Sequence, residues 1–347
     1  MRKFLITMMC IIMVVCFMPT VAMAGESDAV ASVNGQLCVN LQEVIEKVSS
    51  ETNTTGKVQI KLLKNIELPQ TLKISENMDV ELDLNGCGIA AGVRIGTELD
   101  TKHYYAIDNY GKITIYDSVG SGEIRARGIE NLGNGTMTIE SGNFYSIDAN
   151  GGACIWNEAN LIIKGGIFKT YYEGTPSDQQ GPACVINQSN LTITGGQFNS
   201  VNRRTYAIVS DDGTVKIDPA EGKEVIVSGA HGGLGIDGGI ALVNGGFFSS
   251  SEYYGLYVSN DGYGIDPMTA AVTVNGGTFS GANYSVCIGS DYNDPVNSTI
   301  EINGGTFNKP LNAQKCTRDG AIQVKGGIFS SDVKAYVPAN SNYYVKN

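Results

Sequence analysis

Apolar and polar residues alternate along most of this chain in runs of three to five, too short for helices, and the runs recur. The commonest run alternates, enters two glycines and ends at a phenylalanine: "LIIKGGIFKT" at 161–170, "LTITGGQFNS" at 191–200, then "AVTVNGGTFSG", "TIEINGGTFNK" and "AIQVKGGIFSS". Aligned on that pattern, the phenylalanines are Phe144 (after Ser-Gly), Phe168, Phe198, Phe248, Phe279, Phe307 and Phe329, with gaps of 24, 30, 50, 31, 28 and 22 residues. The gap of 50 is close to two periods, so a degenerate copy is expected at 213–232, where "TVKIDPAEG" and "EVIVSG" compete for the slot. Copies without the phenylalanine stand earlier, at "ITIYDSVGSGEI" and "VELDLNGCGI".

A second strand precedes the first in several periods: Ala106 to Asn109, Gly128 to Asn131, Cys154 to Asn157 and Cys184 to Asn187, with Ala207 to Ser210 in the same frame. Two or three short strands per period, polar turns and no intervening helix predict an all-β coil of stacked strands. In such a coil Leu161 and Ile163, Leu191 and Ile193, Val272 and Val274, and Ile300 and Ile302 form inward columns spaced about 4.8 Å along the axis. The paired glycines supply a sharp bend, and the phenylalanine beyond them is expected to turn in and seal the corner. Asn109, Asn131, Asn157 and Asn187 fall at one equivalent turn, where amides can bond each other in a ladder. An open coil end needs a cap, and "NLQEVIEKVSS" supplies one: Asn40 suits an N-cap, and Leu41, Val44, Ile45 and Val48 form an amphipathic stripe. The expected organisation is a leader over 1–24, an N-terminal cap with a short helix over 25–60, and the coil over 61–347.

The segments "VNGQLCVNLQEVIEKV", "KVQIKLLKNIEL" and "VELDLNG", the GGxF rungs, and the ending "GGIFSSDVKAYVPANSNYYVKN" together resemble the right-handed parallel β-helix surface proteins of Gram-positive anaerobes, within the pectin-lyase-like superfamily. The resemblance covers about residues 31–345. It implies a right-handed parallel β-helix outside the cell, and it leaves activity open, because that superfamily holds polysaccharide lyases, glycosidases and adhesins.

Composition refines the picture. Arg2 and Lys3, an uncharged apolar run from Phe4 to Phe17, and Ala22-Met23-Ala24 have the three regions of a secretory signal peptide, with cleavage expected after Ala24. The formal charge of -11 becomes more negative once that leader is removed, which disfavours nucleic acid as a partner. No later segment is apolar over a membrane-spanning length. Of eight cysteines two fall in the leader, and the remaining six are too scattered for a disulfide scaffold or a zinc motif. Cys154 and Cys184 occupy the same frame position, where they either bond or pack as small apolar groups; packing is the favoured reading.

The chemistry that such a coil supports elsewhere is incomplete here. A polygalacturonase-like hydrolase needs carboxylates flanking the glycosidic bond. Asp211, Asp212 and His231 stand in the order and spacing of part of that pattern, but its N-T-D and R-I-K elements are missing. His103 and His231 are the only histidines, and neither a metal nor an organic cofactor is called for. The remaining candidates are aromatic. Tyr171 and Tyr172, and Tyr253, Tyr254, Tyr257 and Tyr263, are expected in the longer loops, where flat rings suit sugars. The reading is a secreted or cell-surface β-helix that binds extracellular glycan or host-surface material without catalysis; the alternative is a polysaccharide-degrading enzyme.

Overall fold

The computed structural model describes residues 28–50, 56–91, 105–147, 152–170, 182–203, 205–259, 269–289, 297–313, 316 and 319–339. Within them the chain is a parallel β-solenoid of about nine turns, with a single short helix near its N-terminus. Each coil lays down three strands. Ala153–Asn157 belongs to a 10-stranded sheet, Asn160–Ile163 to a 13-stranded sheet and Ile167–Thr170 to an 11-stranded sheet. We call these the asparagine, aliphatic and phenylalanine walls.

Register follows the repeat. Leu161 pairs with Leu191 and Ile163 with Ile193, all buried, so like stacks on like down the aliphatic wall. Phe168 lies opposite Phe144 and Phe198, and its ring stacks on theirs at 4.9 and 4.8 Å between centroids. A second stack runs Phe248, Phe279, Phe307, Phe329. These rings are fully inward residues of strands, not plugs at the corner as the sequence suggested: the glycine bend has already ended when the phenylalanine enters the wall. The degenerate copy resolves in favour of both competing segments. Thr214–Ile217 lies in the aliphatic wall and Val225–Gly229 in the phenylalanine wall, where Val227 takes the ring position between Phe198 and Phe248.

The asparagine ladder forms as expected. Asn109 donates through Nδ2 to Asn131 Oδ1, Asn131 to Asn157 and Asn157 to Asn187, each at 2.7 Å, and all four are fully buried. Asn187 passes the row to the Ser210 hydroxyl at 3.0 Å, after which Ile236, Val258 and Ile288 continue it as aliphatics.

At the N-terminal end Asn40 Oδ1 accepts from the Glu43 amide, and the helix Leu41–Ser50 buries Leu41 and Ile45 against the end of the coil, next to Leu72–Ile74. Ahead of it Ala31–Val33 and Gln36–Cys38 form an antiparallel hairpin over Asn34-Gly35, both at positive φ, which extends the aliphatic wall. The C-terminal coil is covered by a turn at Lys334–Tyr336, with Val333 buried and the Tyr336 hydroxyl donating to the Leu311 carbonyl. All six cysteines of the described residues are free thiols. Cys154 donates to the Phe144 and Lys169 carbonyls and Cys184 to that of Phe168, so both pack as small polar plugs inside the coil. No helix among the described residues is long and apolar enough to cross a membrane.

Candidate functional site

The outer face of the asparagine wall carries the densest group of chemically distinctive side chains. Tyr206, Gly232, Tyr254 and Tyr284 are in register on four successive strands, and three residues to the C-terminal side Val209, Gly235, Tyr257 and Cys287 are in register likewise. Gly232 and Gly235 have a definite reason to lack a side chain. The Tyr206 ring lies flat over them, and a Cβ at either would approach it to 2.2 or 2.6 Å. The ring then stacks on Tyr257 at 5.6 Å, Tyr257 on Tyr254 at 4.8 Å, and Tyr254 on Tyr284 at 6.2 Å. Burial, followed by the neighbouring phenols, pushes the Tyr206 hydroxyl well above its ordinary range.

His231 and Tyr253 complete the group from the turns that lead into these strands. His231 sits edge-on to Tyr206 at 5.1 Å and 4.8 Å from Tyr253, with Nδ1 3.0 Å from the Arg203 carbonyl oxygen. Arg203 in turn pairs with Glu252 at 2.9 Å. The accessible rings are Tyr253, at 38% exposure, with Tyr206, Tyr254 and Tyr284 half-buried; Tyr257 is only 5% exposed and donates to the Gly289 carbonyl, so it supports the others. Tyr254 and Tyr257 thus stand on a strand, Tyr254–Val258, rather than in a loop as the sequence suggested, because outward positions of a solenoid strand are as accessible as its turns. Tyr171, Tyr172 and Tyr263 lie outside the described residues.

The partial hydrolase pattern is not brought together. His231 precedes the strand Gly232–Ile236, whereas Asp211 follows the adjacent strand Tyr206–Ser210, so the two are beyond opposite ends of five-residue strands, about 20 Å apart. Asp211 is buried, takes a hydrogen bond from Gln188 at 3.2 Å, and is pushed up by burial; Asp212 is exposed, and its backbone carbonyl closes the asparagine ladder.

A carboxylate pair that the sequence reading passed over lies on the same wall. Asp108 and Glu130 are directly opposed on neighbouring strands, both outward and half-buried. Burial, then the Asp108 charge and a hydrogen bond to it, push Glu130 up to about 7, with Glu158 adding to the rise and Arg127 opposing it. Asp108 is also raised, chiefly by burial. Next in the column stands Trp156, whose Nε1 donates to Glu158 at 3.0 Å. Lys73 lies over the Tyr110 ring and Arg127 over that of Tyr105. A signal was available: the frame that aligns "AIDN" with "GIEN" puts an acid before the asparagine in two consecutive copies. Two carboxyls in hydrogen-bond contact share a proton, and they are closer than the roughly 5 Å or more that a glycosidase pair needs to straddle a sugar.

Comparison with protein-family models, with curated proteins and with solved structures finds no match to this chain.

Proposed function

We propose that this protein is an exported β-helix that binds glycan at the tyrosine group of its asparagine wall and does not transform it. The observation that carries the reading is the continuous stack from Tyr206 through Tyr257 and Tyr254 to Tyr284, with Tyr253 and His231 at its edge. Flat rings fixed on a rigid sheet meet the apolar faces of pyranose rings with little ordering cost, and their hydroxyls orient the sugar. The pairing of Arg203 with Glu252 beside His231 supplies polar groups at the rim. The leader-like N-terminus and the acidic balance fit an extracellular setting. The hydrolase alternative has less support, because Asp211 and His231 are held apart and Asp108 with Glu130 are held too close.

A glycan array probed with the wild-type chain, Tyr253→Ala and Tyr254→Ala tests this. Wild-type hits that both substitutions abolish support the reading. Hits that survive both substitutions place binding elsewhere.

A further inference from the structure

The corner between the aliphatic and phenylalanine walls carries a second feature, on a different side of the coil. In the last four rungs the motif reads GGFF, GGTF, GGTF and GGIF, and its variable letter points outward: Phe247, Thr278, Thr306 and Ile328, in register on four neighbouring strands. Phe247 is 52% exposed and Ile328 59%, while the two threonines are half-buried. Between these ends runs a shallow trough of about 530 Å³ floored by the paired glycines. The floor has to be glycine. Gly277 and Gly305 sit at φ of 103° and 109°, and a Cβ there would come within 3.1 and 3.0 Å of the carbonyl oxygen of the coil below.

The lining carries no charge. It offers an aromatic face at one end, an aliphatic side chain at the other, and between them the Thr278 and Thr306 hydroxyls, which make no hydrogen bond within the described residues. One residue ahead of the glycines, Asn244, Asn275 and Asn303 form a solvent-facing amide ladder, with Nδ2 to Oδ1 distances of 2.9 and 3.0 Å, capped by Asp218 at 3.1 Å. In that ladder Asn244 and Asn275 each keep one N–H and one oxygen lone pair available, since a primary amide has two donors and two acceptor sites. Amides therefore stand on three of the four coils and hydroxyls on the middle two, spaced about 4.8 Å apart, the fourth coil carrying Lys325, paired with Glu301, in the asparagine's place, and the span from Phe247 to Ile328 is about 14 Å.

We propose that this trough binds an uncharged, extended glycan lying along the coil axis, one pyranose ring per coil, with the terminal ring stacked on Phe247. The match is one of period: the rise of an extended pyranose chain is close to the spacing of the strands. An uncharged lining on a chain of net charge -11 excludes polyuronates, which the rest of the surface repels. The proposal shares with the tyrosine group only the ligand class, and the two sites stand or fall separately.

Calorimetric titration with neutral hexasaccharides (β-glucan, β-xylan and β-mannan) and with hexagalacturonate tests it, using wild type, Phe247→Ala, Thr278→Val with Thr306→Val, and Tyr254→Ala. With Tyr254→Ala as the background, so that the tyrosine group does not contribute, a neutral hexasaccharide is expected still to bind, to bind about tenfold more weakly when Phe247→Ala is added, the worth of one aromatic contact, and to weaken again with the valine pair. Hexagalacturonate is expected not to bind. Phe247 and the threonines face solvent, so unchanged melting of these variants establishes that the fold is intact. Equal affinity with and without Phe247→Ala in the Tyr254→Ala background, tighter binding of hexagalacturonate, or no neutral ligand bound in that background overturns the proposal.

Discussion

Asn131 donates its Nδ2 hydrogen to Asn157 Oδ1 at 2.7 Å, and the same Nδ2 reaches the Asn160 carbonyl at 3.0 Å. Side chain and turn are thereby tied together one coil apart, in a place with no exposure to water. Asn157→Ala leaves the Asn131 amide and the Asn190 carbonyl without this partner, and each orphaned buried group costs about 1–3 kcal/mol. Urea unfolding of the variant is expected to show that loss, and Asn157→Asp not to recover it, because it keeps the acceptor but sets a buried carboxylate oxygen against the Ala159, Asn187 and Asn190 oxygens.

The phenylalanine stack makes a separate contribution. Phe168→Ala removes a fully buried ring from between two others, and such truncations cost about 3–5 kcal/mol. Val227→Phe is the informative converse. It joins the two stacks across the coil that separates them, and because neighbouring coils set the available space, overpacking is expected to offset the gain. Denaturation midpoints of both variants check these expectations.

Glu130 gives the fold a pH dependence of definite sign. Its carboxyl titrates near 7 in the folded chain and in the ordinary range near 4.5 when unfolded, so between these values the folded state binds more protons. Stability is therefore greatest below about 4.5 as far as this pair is concerned and falls as pH rises through 7. Asp108, also raised, acts in the same sense. Asp218 and Glu301, held down by Lys216 and Lys325, act oppositely but only below the ordinary carboxylate range. Glu130→Gln is expected to flatten the melting temperature between pH 5 and 8 and to melt higher than wild type at pH 8.

Thiol reactivity reports on the coil interior. Cys38, Cys154, Cys184 and Cys287 are buried and Cys87 and Cys316 half-buried, and burial pushes the Cys184 thiol well up. A thiol reagent added to the native protein is expected to modify at most the two half-buried groups quickly, and all six in denaturant.

The solenoid itself was legible because a fixed period places each residue in a column: Leu161 stacks on Leu191 for the same reason that the sequence aligns them. The asparagine ladder followed from the same frame. Outward positions were not legible in this way. Tyr206 and Tyr257 are 51 residues apart in the chain and meet only because Gly232 and Gly235 leave the intervening strand bare, a fact of shape with no local signature. Phe247 was hidden by its motif, since aligning on GGxF draws attention to the constant letter, which faces the core, and away from the variable one, which faces water.

The most direct test of the account is calorimetric titration of the best array ligand into wild type and Tyr254→Ala, followed by mass analysis of the recovered glycan. Saturable binding to wild type, at least tenfold weaker binding to Tyr254→Ala, consistent with loss of a stacked ring, and a ligand of unchanged mass are expected. Equal affinity for the two proteins, or a recovered ligand that has been shortened or made unsaturated, would contradict it.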